Sequence, residues 1–269
     1  MKFNKILPAF FACAVLASCQ KEEKTKIVSS GNIPQQVIDQ IAAQGYVTEG
    51  AIAVEGGYVV ENDIFLSTEE LSNPKTGPTL RVGEEEQYHT TNLIKGLPRT
   101  IKIAVRNLDP IWTVATDSAI ARYNALGMRL TFKRVNSGAE ILVKGADLGD
   151  GGVLGQSSGF PDANGNPATP IKLNNHPGTF GSNPDVSWLA LIVAHEIGHT
   201  IGFRHTDYRN RAYSCGGLPI PEGQAGVGAI WIPGTPTKGD PNSWMLACTD
   251  GTARPFNVND ITALNYLYH

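Results

Sequence analysis

The stretch Asn183-Pro184-Asp185-Val186-Ser187-Trp188-Leu189-Ala190-Leu191-Ile192-Val193-Ala194-His195-Glu196-Ile197-Gly198-His199-Thr200-Ile201-Gly202-Phe203-Arg204-His205 decides how the chain reads. It predicts a helix capped by Asn183, with Pro184 at the first helical position and Asp185 complementing the dipole, running to about Ile201. Gly202, able to take a positive φ, then ends the helix and turns the chain. His195 and His199 are four apart, so both lie on one face, with Cβ atoms roughly 5–6 Å apart. Leu189, Ile192, Val193 and Ile197 make the surrounding helix apolar. Two histidines and a glutamate on such a helix carry a desolvation cost that metal binding removes.

Imidazole nitrogens bind zinc at about 2.0–2.1 Å, so a single ion can bridge the pair without distorting the backbone. The turn at Gly202 brings His205 towards that ion as a third ligand, since a larger side chain would resist the turn. Three protein ligands and a fourth position open to water are the catalytic arrangement of zinc. Glu196, beside the first ligand, is placed to take a proton from the water as zinc lowers its pKa. The His-x3-His-x2-Gly-x2-His spacing arises by chance in roughly 3 in 10,000 chains of this composition, before Glu196 is required. One catalytic zinc ion is the expected cofactor.

His195-Glu196-x2-His199-x2-Gly202-x2-His205 resembles the long zinc motif of the metzincin clan, and Ser243-Trp244-Met245 resembles its Met-turn. Within that clan, the run His195 to Asp207 is similar to the bacterial dual-action HEIGH metallopeptidases, a resemblance extending from about Gly57 to the C-terminus. It implies an α/β (α+β) fold. A twisted mixed sheet carries a backing helix and the zinc-site helix, and a smaller lower subdomain holds Met245 and the C-terminal helix. It also implies a zinc endopeptidase of extracellular or envelope proteins. The alternative is a surface-anchored binding lipoprotein retaining a structural zinc site, against which Glu196 speaks, because zinc can be held without it. Astacin-like and serralysin-like relatives often place a tyrosine where this chain has Ala247. Tyr213, Tyr266 and His176 are candidate substitutes as oxyanion donors. The loops between His205 and Met245 are expected to shape the specificity pocket.

Outside the motif, 269 residues with 41% apolar and 17% charged side chains suffice for one sizeable core. A net charge of −3 offers no basic stripe for nucleic acid. The partners expected are a protein or peptide substrate and, through an N-terminal lipid only, a membrane; the oligomeric state is not readable. Lys2, Lys5 and the apolar run Ile6 to Leu16 form a targeting segment too short to span a bilayer. Leu16-Ala17-Ser18-Cys19 resembles a lipobox, which would make Cys19 a lipid anchor and place the protein at the bacterial cell envelope, at the outer membrane or cell surface. With Cys13 and Cys19 removed from the count, Cys215 and Cys248 most simply form one disulfide.

The organisation expected is a signal peptide over 1–18, a tether and N-terminal region over 19–95, and a peptidase domain over 96–269. If the middle region is a prosegment, its cleavage also frees the domain from the anchor. Elements are expected as a helix over Pro34 to Tyr46, strands Ala51 to Val54 and Tyr58 to Leu66, and a loop over Ser67 to Thr91. A strand over Thr100 to Val105, a helix from Val114 to Leu126, and strands Arg129 to Arg134 and Glu140 to Val143 follow. Gly149 to Asn175 reads as a long loop with one edge strand, and Asn257 to Tyr268 as a capped helix. Asp162, Asn164 and Asn166 alternate like a calcium loop, but Leu173 stands where the bidentate glutamate belongs, so a surface turn is expected. His89 and His269 read as surface residues. Val60-Glu61-Asn62-Asp63-Ile64 resembles the Phe-x-Gly-Asp segment by which astacin propeptides set an aspartate on the zinc, making Asp63 a candidate latency switch. The plainer reading is favoured: Asn62 replaces the glycine, so Asp63 is taken as a carboxylate at a strand end.

Overall fold

The structure is a computed structural model that describes residues 33–72, 87–223 and 226–269. The segment read as a signal peptide, and Cys19, lie outside these residues. Helix α1 (Gln35–Ala43) opens the described chain after Pro34, followed by strands β1 (Ile52–Val54), β2 (Gly57–Val60) and β3 (Ile64–Ser67). A single strand was expected over Tyr58 to Leu66. It is instead a tight hairpin, broken at Glu61 (φ 51°) and Asn62 (φ 75°). Asn tolerates the left-handed region, whereas Glu rarely enters it, so this break carried little local signal. Helix α2 (Thr68–Ser72) and the two-residue strand β4 (Tyr88–His89) replace parts of the expected loop.

Strand β5 (Arg99–Arg106), helix α3 (Pro110–Asn124), and strands β6 (Leu130–Arg134) and β7 (Ile141–Ala146) follow the expected order within a few residues. The Gly149 to Asn175 stretch holds two strands where one was expected, β8 (Gly155–Ser157) and β9 (Ile171–Asn174). Asp162 turns as expected, its carboxylate accepting bonds from the backbone N–H and side-chain amide of Asn166. The eight strands form one mixed sheet in the order β1-β2-β3-β8-β9-β7-β5-β6. β9, β7, β5 and β6 run parallel to one another, and β8 is antiparallel to β9. The N-terminal hairpin joins through a parallel pairing of Ile64 with Ser157.

The zinc-motif helix α4 (Val186–Thr200) is capped by Asp185, whose carboxylate accepts from the Ser187 N–H, so the cap falls two residues after Asn183. Every residue from Leu189 to Thr200 is buried. The helix packs against α3 and β8, and the Tyr123 hydroxyl donates to the Ala194 carbonyl at 2.8 Å. Fully burying each of its large aliphatic side chains contributes about 1.5–3 kcal/mol, which outweighs its polar positions. At its end Gly202 takes φ +110°, and a Cβ there would meet Leu93 at 2.8 Å. The Phe203 N–H reaches back to the Gly198 carbonyl at 2.9 Å, so the chain reverses tightly.

Helix α5 (Ala212–Cys215), strand β10 (Ile230–Trp231), which pairs with β4, and helix α6 (Val258–Tyr268) complete the described chain. Asn257 and Asp260 form the expected capping box of α6. The α6 residues Ala263, Leu264 and Tyr268 close the main core from below. Cys215 and Cys248 form the disulfide. His269 is exposed, but His89 is half-buried in β4, and burial lowers its pKa. Among the described residues no helix is long and apolar enough to cross a membrane.

Candidate metal centre

Helix α4 and the turn after it bring three imidazoles to one point. His195 Nε2 and His199 Nε2 are 3.1 Å apart, and the His205 ring sits 4.7 Å from that of His199 and 5.2 Å from that of His195. Each Nδ1 is turned away and tied down: His195 to the Trp244 carbonyl and His199 to the Phe203 carbonyl, both at 2.9 Å, and His205 to the Glu222 carboxylate. A histidine donating through Nδ1 presents a bare Nε2 lone pair, so these bonds select the tautomer that binds metal.

The fourth member comes from the N-terminal hairpin. Asp63 Oδ2 lies 3.1 Å from His195 Nε2, 2.8 Å from His205 Nε2 and 3.6 Å from His199 Nε2. Asp63 thus stands at a strand end as read, directly before β3, but buried against the three imidazoles. One donor atom from each of the four residues falls within 4.8 Å of all the others, and all four residues are buried. Asp63 Oδ1 has no hydrogen-bond partner, nor does Glu196 Oε2.

The electrostatics suit a divalent cation. Burial drives His199 down to about 4, assisted by the neighbouring imidazoles, so the ring is neutral as a ligand must be. Burial also pulls on His205, but Asp63 and Glu222 outweigh it and hold that ring's pKa well up. Those two carboxylates would stabilise a cation in the same place. Burial tends to raise Asp63, yet His205, His199 and His195 more than reverse it and keep it ionised. Glu196 goes the other way: burial, then the Asp63 charge, lift it well above the carboxylate range. Two carboxylates a short distance apart thus have pKa values pushed in opposite directions, a pattern of acid–base sites. The donor set, its tautomers and its charge all fit a metal ion.

Beneath the histidines lies Ser243-Trp244-Met245. Met245 is fully buried, its carbonyl accepts from the Thr206 N–H at 2.7 Å, and a Cβ on Gly198 would come within 2.5 Å of its Sδ. The turn therefore packs directly under the metal helix. Beside His195 and Glu196 opens a cavity of about 800 Å³, walled by Val153, Leu154, Trp188, Ile192, Leu246 and Ala247, with Arg254 also on its lining. The walls come from the N-terminal region (Gly50, Ile52, Asn62 and Asp63), from the segment before β8, from α4 and from residues 244–254. Of the described residues between His205 and Met245, which were expected to shape it, Trp244 is the one on its lining.

The sequence profile of the dual-action HEIGH metallo-peptidases matches residues 58–268. The chain belongs to that family. It is therefore a metallopeptidase, and its fold is the mixed α/β architecture expected from the motif. No curated protein sequence matches the chain. Among solved structures, two of myroilysin are similar. One, titled "Crystal structure of myroilysin", has 14% identity, covers 90% of this chain and 99% of that one, and gives a TM-score of 0.41. The other, "Structure of myroilysin", has 16% identity, covers 46% of this chain and a TM-score of 0.34. In that second match the chain spans 57% of the other's length.

Against this family frame, His195, His199, His205, Glu196 and Met245 converge as the spacing implied, with Asp63 added from 132 residues before His195. Of the candidate oxyanion donors, Tyr213 and Tyr266 are exposed. His176 is bonded to Asp147, and none of the three lines the cavity. Sequence reading missed Glu222, which orients His205, and Gly155, where a Cβ would meet Glu196 Oε1 at 2.7 Å. It also missed Arg204, a buried cation inside the motif itself. Glu222 and Gly155 act through contacts across the fold and had no local signature. The single arginine amid apolar motif positions was a signal that could have been read.

Proposed function

We propose that this metallopeptidase uses one zinc ion, held by His195, His199 and His205, and cleaves internal peptide bonds with Glu196 as general base. The observation that carries the reading is the convergence of three imidazoles, each fixed at Nδ1, beside a buried glutamate with an unpartnered oxygen that borders a cavity. When bound, zinc supplies Lewis-acid polarisation of the scissile carbonyl and acidifies water. The raised pKa makes the Glu196 carboxylate a competent proton acceptor. It takes the proton from water as the oxygen bonds to the carbonyl carbon. It then returns that proton to the departing nitrogen as the C–N bond breaks, leaving a carboxylate and an amine. Among the described residues that line the cavity beside Ala247 there is no tyrosine.

Asp63 would complete a set of four protein ligands, which is what the rival reading of a structural zinc site in a binding lipoprotein would require. Glu196 and the adjoining cavity favour a catalytic site held latent instead: Asp63 occupies the position that water and substrate need, and must leave. Residues 19–95 would then be the prosegment and 96–269 the active domain. The basic start at Lys2 and Lys5, the apolar run and the lipobox-like Leu16 to Cys19 support export to the cell envelope with Cys19 as lipid anchor, and release on cleavage. The direct test compares zinc content and cleavage of a mixed protein substrate by wild type and Glu196→Ala. About one zinc in both, with cleavage lost about 10²–10⁴-fold in the variant, supports the reading. Zinc in wild type with no cleavage, even after residues before about 95 are removed, transfers the protein to the binding class.

A further inference from the structure

Two residues before Asp63, a second carboxylate of the same hairpin is buried against the peptidase. Glu61 accepts from Arg204 Nη2 through Oε2 at 2.9 Å and from the Gly223 N–H through Oε1 at 2.9 Å; the Val47 N–H adds a longer bond of 3.3 Å to Oε1. Both Glu61 and Arg204 are only 1% exposed. The guanidinium is sandwiched, its Cζ 5.2 Å from the Phe160 ring and 5.0 Å from that of Tyr208, and Phe160 in turn packs on His199. Gly223 meets the hairpin's own base so closely that a Cβ there would lie 1.5 Å from the Gly45 carbonyl oxygen. These parts form a receptor for one carboxylate, built almost wholly by residues after 155.

Its charge balance depends on the visitor. Arg204 and Arg211 face Glu222 at 3.3 and 3.6 Å, and Glu222 is also committed to His205. Two guanidiniums therefore share one resident carboxylate, and Glu61 makes up the difference. Arg204 Nη1 has no hydrogen-bond partner even with Glu61 in place. Without Glu61, Arg204 keeps only Glu222, which it shares with Arg211 and His205, so an incoming carboxylate would restore the balance. The turn that delivers Glu61 is itself strained, with Glu61 and Asn62 both left-handed, and such conformations persist where surroundings hold them.

From this juxtaposition we infer that the Arg204–Gly223 receptor is an acidic-residue subsite of the active enzyme, occupied in the intact chain by Glu61 as a built-in substrate mimic. The inference rests on the peptidase reading above. Asp63 takes the place of the reacting group at the histidines, so a peptide bound there sets a side chain about two residues away into the receptor. A glutamate side chain reproduces both bonds of Glu61; a glutamine presents an N–H₂ to at least one of the two donors. The preferred substrates are peptides with an acidic residue close to the scissile bond.

The test uses the full chain with Glu61→Gly and Asp63→Gly, which empties the receptor and the metal position and suits the left-handed backbone at residue 61. It is loaded with zinc and given paired peptides that differ only by Glu or Gln within three residues of the cleaved bond. Expected is a kcat/KM at least tenfold higher for the glutamate peptide at one position, carried mainly in KM, and a ratio near one after a further Arg204→Gln. Should Arg204→Gln fail to fold, the metal-free double-glycine variant supplies a second reading: added propionate raises its Tm and propionamide does not. Cleavage of both peptides at equal rates, or equal Tm responses to propionate and propionamide, overturns the subsite. Zinc binding without cleavage of either peptide, also after residues before about 95 are removed, overturns the peptidase reading beneath it.

Discussion

Replacing Gly198 by alanine tests whether the turn beneath the metal helix is as close as described. An added Cβ would lie 2.5 Å from Met245 Sδ and 2.6 and 2.7 Å from Cη2 and Cζ3 of Trp244, about 1 Å inside ordinary van der Waals contact. Neither neighbour has a free end to swing away. Met245 is fully buried, and the Trp244 indole is boxed by Tyr123, Phe203 and Phe256 with ring centroids 5.7, 5.2 and 5.0 Å away. Overpacking of such a wall costs about 3 kcal/mol, at the upper end of the usual range. Alanine returns about 1 kcal/mol of helix propensity. A net loss of about 2 kcal/mol lowers Tm by about 4–8 °C in a chain of this size. Because the Trp244 carbonyl holds His195 Nδ1, displacing the indole also turns a metal ligand, and a shift near 1 Å is enough for about a 10²-fold loss of kcat/KM. Calorimetry of the metal-free and zinc-loaded forms separates packing from metal loss. An unchanged or higher Tm in both forms, with wild-type zinc affinity, would mean the turn stands off from the helix and refute the reasoning.

Glu222→Gln removes the charge that orients His205 and should weaken zinc binding about 10–100-fold in a chelator competition; wild-type affinity would count against that role. Asp63→Asn in the intact, uncleaved chain replaces a charged contact worth about 1.5–3 kcal/mol by a weaker one, so cleavage of a fluorogenic peptide should rise about 10–100-fold. Activity equal to that of wild type would dismiss Asp63 as a latch. Burial raises Asp260 to about 6, against the opposing bonds from Asn257, Ser243, Gln87 and Trp244. The folded state therefore holds that proton more tightly than the unfolded chain, and the associated stability is present below about 3.8 and lost as pH rises through about 6. Denaturant titrations should show wild type losing roughly 3 kcal/mol relative to Asp260→Asn across that window; a flat difference would place the Asp260 pKa near its ordinary value.

The parts of the site that the sequence announces share one helix and its exit. Four-residue spacing fixes His195 against His199, and Gly202 fixes the reversal to His205, so local geometry alone predicts their meeting. The capping box of α6 is legible for the same reason, since Asn257 and Asp260 are three apart. The hairpin break was not, because two left-handed residues at Glu61 and Asn62 replace the glycine that ordinarily marks such a turn. Two short strands in the Gly149 to Asn175 stretch were read as one because three- and four-residue strands are too short for alternation to register. Glu222, Gly155 and Arg204 earn their roles from partners 17, 41 and 143 residues away. The cavity, too, depends on how α4 lies against residues 148–155 and 246–254, a relation no window of sequence contains.

The pairing of Ile64 with Ser157 joins the N-terminal hairpin to the rest of the sheet at one register position. If the hairpin departs as proposed, β8 becomes the margin of a five-stranded sheet, and the Ser157 N–H loses the Asp63 carbonyl as its partner. A freshly bared margin invites association with any extended chain, including another copy of the enzyme. At three residues β8 offers little length to such a zipper. Were that proposed release to occur, the brevity of this strand would give unwanted self-association few bonds with which to begin.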